Sequence, residues 1–199
     1  MPMIRETIVS TMNRAGQIHF APIGLIAEDE GWIIAPFRPS VTLDNLRDVP
    51  FAAANFTDDV RVFAGCLTGQ ADQWPTAPCN EIRVPRLASA LAHAELAVTH
   101  TTEDEERPRF HCRVLCIATH APFQGFNRAK AAVIEASILV SRLNMLPRDK
   151  IEREIAYLEI AVGKTASAAE KEAWTWLTER IRQFYGSRGQ PMAPDDPRQ

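Results

Sequence analysis

The chain has 199 residues, 46% of them hydrophobic and 24% charged, and its 22 Lys and Arg against 25 Asp and Glu leave a net charge of −3. This is the balance of a globular protein; it excludes wholesale disorder, and a chain this long buries roughly 70% of its unfolded surface without help from disulfides or metals. With no basic excess and no run near the about 18 apolar residues of a membrane span, neither a nucleic-acid partner nor a membrane is expected.

The first 120 residues carry strand and turn signals. Residues 7–12, 17–27 and 32–37 read as an antiparallel meander, joined by turns at 13–16 and 28–31, with Gly16 where a positive φ is needed. Pro22 and Gly24 are out of place inside the second strand, because Pro cannot donate to a ladder and Gly weakens one. They mark an edge, or a place where a ligand meets backbone. A helix follows over 40–47, with Ser40 and Thr42 as candidate N-caps and Leu43 and Leu46 at helical spacing. Residues 50–56 read as a buried strand halted by Thr57, Asp58 and Asp59, and 60–67 as a short helix with Val60, Phe63, Ala64 and Leu67 inward. Residues 68–80 are loop.

Two longer strands come next. Over 93–100, Ala94, Leu96 and Val98 share a face; over 109–118, so do Phe110, Cys112, Val114, Cys116 and Ala118. Between them the acidic run 103–106 reads as a solvated hairpin tip rather than a metal site. The last third is helical. Residues 128–146 are apolar on two sides, one with Ala129, Val133, Ala136, Val140 and Leu143, the other with Ile134, Ile138 and Met145, which predicts burial on both. Pro147 breaks that helix, 149–162 forms another, and a capping box from Ser167 to Glu170 opens a third that stops near Gly186. The tail 187–199 reads as disordered. The expected division is 1–122, 123–186 and this tail.

Few residues advertise chemistry. Cys66, Cys79, Cys112 and Cys116 contain no C-x-x-C pair, and the N-terminus has no apolar signal core, so a reduced, cytoplasmic setting is expected. Cys112 and Cys116, four apart on a strand, stand about 13 Å from each other, too far for one ion, and are read as core residues. His19, His93, His100, His111 and His120 are scattered without zinc-ligand spacing, so no metal is expected. Nucleophile-elbow and glycine-rich phosphate loops are absent. The exception is 38–45. Arg38 is a fixed cation, Ser40 and Thr42 place hydroxyls where the first amides of a helix are unpaired, and Asn45 lies one turn in. Such a set suits a phosphate; it also describes a capped helix with a surface arginine.

The succession of meander, Ala21-Pro22-Ile23-Gly24, Arg38-Pro39-Ser40-x-Thr42-x-x-Asn45-Leu46 and Asn55-Phe56-Thr57-Asp58-Asp59 resembles the FMN-binding split β-barrel flavoproteins, which include flavin reductases. With Phe126-Asn127-Arg128-Ala129-x-x-Ala132-Val133-Ile134-Glu135-Ala136 and Ser141-Arg142-Leu143, the resemblance is to a branch found in methanogens and in methylotrophs that use tetrahydromethanopterin, and it spans about residues 5–185. It implies an antiparallel split β-barrel with a C-terminal helical segment, and FMN held noncovalently at a homodimer interface. On the same ground, Arg38, Ser40, Thr42 and Asn45 hold the phosphate and ribityl chain. The backbone of Ala21, Pro22, Ile23 and Gly24 lies along the isoalloxazine, and Asn55 offers an amide to the ring or to the ribityl hydroxyls. Asn127 and Arg128 complete the site, or else serve as a helix cap and an interface ion pair. Glu135 is a buried ion-pair partner of Arg128 or Arg142, or a site residue. The activity implied is that of an oxidoreductase resembling flavin reductases, with NAD(P)H or a pterin as redox partner and a link to one-carbon metabolism. The alternative is a noncatalytic FMN-binding, sensing or structural protein. Hydride chemistry resides in a flavin itself, so no catalytic side chain is named.

Overall fold

In the computed structural model, which describes residues 2–29 and 31–187, the elements in chain order are β1 (Ile4–Met12), β2 (Ile18–Glu28), β3 (Gly31–Ile34), α1 (Val41–Asp48), β4 (Phe51–Phe56), α2 (Val60–Thr68), β5 (Thr76–Ala77), β6 (Arg86–Leu87), β7 (Ala92–Thr102), β8 (Arg109–Thr119), α3 (Arg128–Ser141), α4 (Arg148–Thr165) and α5 (Ala168–Ser187). The tail read as disordered lies, apart from Ser187, outside the described residues. Two compact units divide the chain between Phe126 and Asn127.

In the first unit, six strands close into a barrel in the order β1-β2-β3-β8-β7-β4, each neighbour antiparallel, and β5 and β6 form a separate two-stranded sheet. The period-2 patterning drives this closure. Val9, Ile23, Leu25, Ile34, Ala52, Ala54, Ala94, Leu96, Phe110 and Cys112 form one buried cluster, joined by Leu43 and Leu46 of α1. On the opposite face of β1, Ile8 packs with Phe20, Leu87, Ala90 and with Val62 and Phe63 of α2. Gly31 lets β3 approach β8; a Cβ there would stand 2.1 Å from the Cys112 carbonyl oxygen.

Closure is incomplete along one strand. β2 pairs with β1 from Ile18 to Ile26 but with β3 only from Ile26 to Glu28, so residues 18–25 are paired on one side. Pro22 (opposite Ile8) and Gly24 (opposite Glu6) fall in this stretch, where a missing donor or side chain is tolerated. The expectation for β8 needs correcting. The ladder with β7 shifts between Glu95 and Leu96, with Leu96 facing Val114 and Glu95 facing Cys116, so Leu115 is an inserted residue. Such a bulge reverses the alternation beyond it. Cys112 and Val114 belong to the barrel core, whereas Cys116 accompanies Glu95 on the other face, its Sγ accepting from Asn80 Nδ2 at 3.4 Å.

In the second unit, α3 packs against α4 and α5. Ala129, Ala132, Val133, Ala136, Leu139 and Val140 are buried on α3, as are Ile151, Val162, Ala173, Leu177 and Ile181 on its partners. The α3 helix is shorter than its pattern suggests and closes at Ser141, where the Arg142 amide is shared between the carbonyls of Leu139 and Val140. Glu135 is exposed, which corrects the expectation of a buried ion-pair partner, and Met145 beyond the helix is 74% exposed. The Glu170 half of the capping box forms: Ser167 N donates to the Glu170 carboxylate at 2.8 Å, and the Ser167 hydroxyl donates to the same carboxylate. Among the described residues, no helix is long and apolar enough to cross a membrane.

Candidate functional site

The segment between β3 and α1 is positioned by the β7–β8 hairpin tip. Arg107 donates through Nε and Nη2 to the Ala35 carbonyl at 3.2 and 2.8 Å, and its guanidinium lies 4.4 Å from the centre of the Phe37 ring. Arg38 N donates to Glu106 O at 2.8 Å, and the Arg38–Pro39 peptide is cis. The tip is itself set by Asp104, whose carboxylate accepts from the amides of Arg107 and Glu106; these bonds hold its carboxyl below the usual range.

This clamp delivers Arg38 to the start of α1 and also supplies its counter-ion. Arg38 Nη2 lies 2.7 Å from Glu103 Oε2, and Arg47, on the last turn of α1, reaches the same carboxylate at 3.1 Å. The acidic tip is therefore an ion-pair partner as well as a turn. Arg38, Glu103, Asp104 and Glu105 line an open hollow. Ser40 is the N-cap, its Oγ accepting from Leu43 N at 3.3 Å. The amides of Val41 and Thr42 are the remaining first-turn donors of a helix whose cap has taken Leu43.

Deeper in, Thr42 and Asn45 are only 2% and 4% exposed, and Asn45 Nδ2 donates to Thr11 Oγ1 at 3.0 Å, tying α1 to β1. Opposite Thr11 on β2 stands His19, whose partial burial pushes its pKa down, so the ring is neutral at pH 7. Thus Arg38, Ser40, Thr42 and Asn45 share one short helix and its approach. Ala21, Pro22, Ile23 and Gly24 lie on the one-sided stretch of β2.

Two of the expected site residues have their side-chain amides committed within the chain, Asn127 in the helix-cap role that was its other reading. Asn55 is fully buried with both ends of its amide occupied. Its Nδ2 lies within bonding distance of Ile8 O (2.9 Å), Ala53 O (3.1 Å) and Ser10 Oγ (3.3 Å), and its Oδ1 accepts from Leu87 N at 2.7 Å. It pins the 84–91 segment to the barrel and has no group left for a ligand. Asn127 is likewise committed as the N-cap of α3, accepting from Ala129 and Lys130 amides and donating to Thr165 O. Arg128 opens that helix, exposed.

Sequence spacing missed two things. Glu103 is 65 residues from Arg38 and has no local signature. On the other face of β7, Glu95 and His93 are buried beneath the 79–82 segment, with Cys79 beside them. Burial raises the Glu95 carboxyl, but bonds from the amides of Asn80 and Glu81 and from His93 outweigh it and leave the pKa low. Burial pushes the thiols of Cys66, Cys79 and Cys112 up to about 11, 12 and 12, with the Glu95 charge adding to the effect at Cys79.

A six-stranded antiparallel barrel with one half-open strand, a capped helix and an arginine at its mouth defines a split-barrel protein. Family models described as protein of unknown function (DUF447) match the chain over residues 5–121, for the N-terminal domain, and over 127–179; the chain belongs to the DUF447 family. Among solved structures it is similar to an FMN-bound protein of Methanosarcina mazei that carries the same family model, with 22% identity over 90% of this chain and 96% of that one and a TM-score of 0.78. It is also similar to the 2-nitrobenzoate 2-nitroreductase of Pseudomonas fluorescens, with 19% identity over 60% and 66% and a TM-score of 0.50. The NADH:FAD oxidoreductase of Streptomyces globisporus matches at 16% identity over 60% and 78%, with the same TM-score. At these identities the likeness is one of fold. No curated protein sequence matches the chain.

Proposed function

We propose that the barrel unit binds FMN noncovalently and acts as an oxidoreductase of the flavin-reductase kind. The observation that carries this reading is the segment 38–42, which gathers a guanidinium, a cap hydroxyl and two first-turn amides within five residues, in a unit whose β2 strand is paired on one side only over 18–25. That donor set fits a phosphate monoester: the arginine offers a fork, the amides point along the helix axis, and the helix dipole favours an anion. The FMN carried by the Methanosarcina mazei family member supports the choice of flavin.

In this reading Arg38 exchanges Glu103 for the phosphate, and Ser40 and the Val41 and Thr42 amides hold its remaining oxygens. Thr42 and Asn45 keep the first turn of α1 seated on β1. Ala21 to Gly24 present the one-sided stretch of the β2 backbone to the ring. FMN, when bound, supplies two-electron chemistry; the chain supplies position and charge. Ile134, Ile138 and Met145 support a homodimer formed through the α3 region.

The test is anaerobic mixing of the flavin-loaded protein with NADH, NADPH and a reduced tetrahydromethanopterin, followed at the flavin absorbance. Bleaching by any of the three supports the oxidoreductase. Protein that binds FMN but is bleached by none of them refutes it and leaves a flavin-binding protein without turnover. Light scattering near twice 22.2 kDa supports the dimer, and a monomer refutes it.

A further inference from the structure

A second assembly of chemically active side chains lies away from the phosphate corner. Glu95 is wholly buried and His93, two residues earlier on the same face of β7, is 1% exposed. The 79–82 segment crosses over them. Asn80 N donates to Glu95 Oε1 at 2.7 Å, while Glu81 N and Ile82 N donate to Oε2 at 2.7 and 3.1 Å. The same segment brings Cys79, so that a thiol sulfur, an imidazole nitrogen and a carboxylate oxygen lie within 4.8 Å of one another. It is the one group of its kind among the described residues. Behind it, His93 Nδ1 lies 2.9 Å from His120 Nε2, the two rings stacked with centroids 5.0 Å apart.

We propose that Cys79, His93 and Glu95 form a binding site for a zinc ion, with water in the fourth position and His120 orienting His93 from behind.

Four observations carry this. The donors are one sulfur, one nitrogen and one oxygen, a set that suits zinc and rejects magnesium and calcium. A thiolate and a carboxylate together neutralise a divalent cation, so the loaded site buries no net charge, which is the condition for charge inside a protein. The geometry is close to formed. His93 Nε2 stands 3.1 Å from Glu95 Oε1, near the roughly 3.4 Å that separates two ligands on one tetrahedral zinc, and the Cys79 sulfur, on a partly exposed loop, lies within 4.8 Å of both. The surroundings are those of a ligand set: three backbone amides hold the carboxylate, and the far nitrogen of His93 is held by His120. A loop anchor accounts for Glu95 but leaves the thiol and the second histidine without a role. Asn80, Glu81 and Arg83 are exposed, which gives an ion a route from solvent.

Cobalt(II) titration of the chelator-treated full chain tests the site, because cobalt(II) adopts zinc's coordination and reports it spectroscopically. One equivalent is expected to bind, with a thiolate charge-transfer band and tetrahedral ligand-field bands to the red of flavin absorption, all abolished by zinc. Cys79→Ser is expected to lose the charge-transfer band and stoichiometric binding while melting like the wild type. His120→Ala keeps all three ligands and is expected to weaken binding about 10- to 100-fold. Failure of the wild type to bind a stoichiometric ion overturns the proposal, as does Cys79→Ser binding with unchanged affinity and spectrum. Unchanged affinity in His120→Ala overturns the orienting role. FMN titration of the same samples is independent of all these outcomes.

Discussion

Arg38→Ala removes the guanidinium beside the first turn of α1, and the structure sets different costs without and with flavin. Without it the loss is small. The bridge to Glu103 is 2.7 Å long, but its side chains are 36% and 63% exposed, and such pairs are worth about 0.2–1 kcal/mol. With FMN, a charge-assisted bond to the phosphate is worth about 1.5–3 kcal/mol, so binding weakens about 10- to 150-fold at 1.4 kcal/mol per decade. Riboflavin has no phosphate and binds both proteins alike. Glu103→Gln provides the complementary perturbation: it frees Arg38 and Arg47 together and removes a competing negative charge. FMN then binds up to about fivefold more tightly at low salt, since no more than the worth of an exposed pair is recovered. Added salt erases that gain. Quenching of flavin fluorescence at two ionic strengths reads all of these affinities, and a thermal melt of each apo variant checks the fold. If Arg38→Ala bound FMN as tightly as the wild type, or Glu103→Gln bound it more weakly, the phosphate would not lie at this corner.

Asn55→Ala strips buried partners from the Leu87 amide and the Ile8 carbonyl and is expected to cost about 2–4 kcal/mol, lowering Tm by on the order of 10 °C. An unchanged melt would show that the 84–91 segment is held by other means. Glu170 tests the helical unit by pH. Burial alone would raise its carboxyl, but the side-chain and backbone bonds from Ser167 outweigh burial and hold it below the ordinary value of 4.5. The unfolded chain therefore takes up this proton first on acidification. The stabilisation is complete above about pH 4.5 and is lost as pH falls through the lower folded value. Glu170→Gln is expected to lower stability by about 0.5–2 kcal/mol at pH 7 and by less at pH 3, measured by urea unfolding. Parallel loss in both proteins on acidification would refute the assignment.

What the sequence determined by itself is what depends on near neighbours. The β-branched run at 7–12 and the turn-bounded stretch at 17–27 favour strands locally, and the alternation over 93–100 specifies one because a pleated chain presents every second residue to the same face. Helix starts were legible at Ser40, Asn127 and Ser167 because a cap bonds to amides two or three residues away. The Arg38 to Asn45 set was readable for the same reason, since one turn of helix and its approach gather it. The tertiary structure decided whatever depends on pairing between distant segments. The Leu115 bulge exists only in register with β7, and it moves Cys116 out of the core that period-2 spacing predicted. Asn55 looks the same in sequence whether it faces a ligand or Leu87, and Glu135 whether its side of α3 is covered or open. Cys79, His93, Glu95 and His120 span 42 positions without a motif, because the spacing that matters for coordination is measured across a strand pair and a crossing loop rather than along the chain.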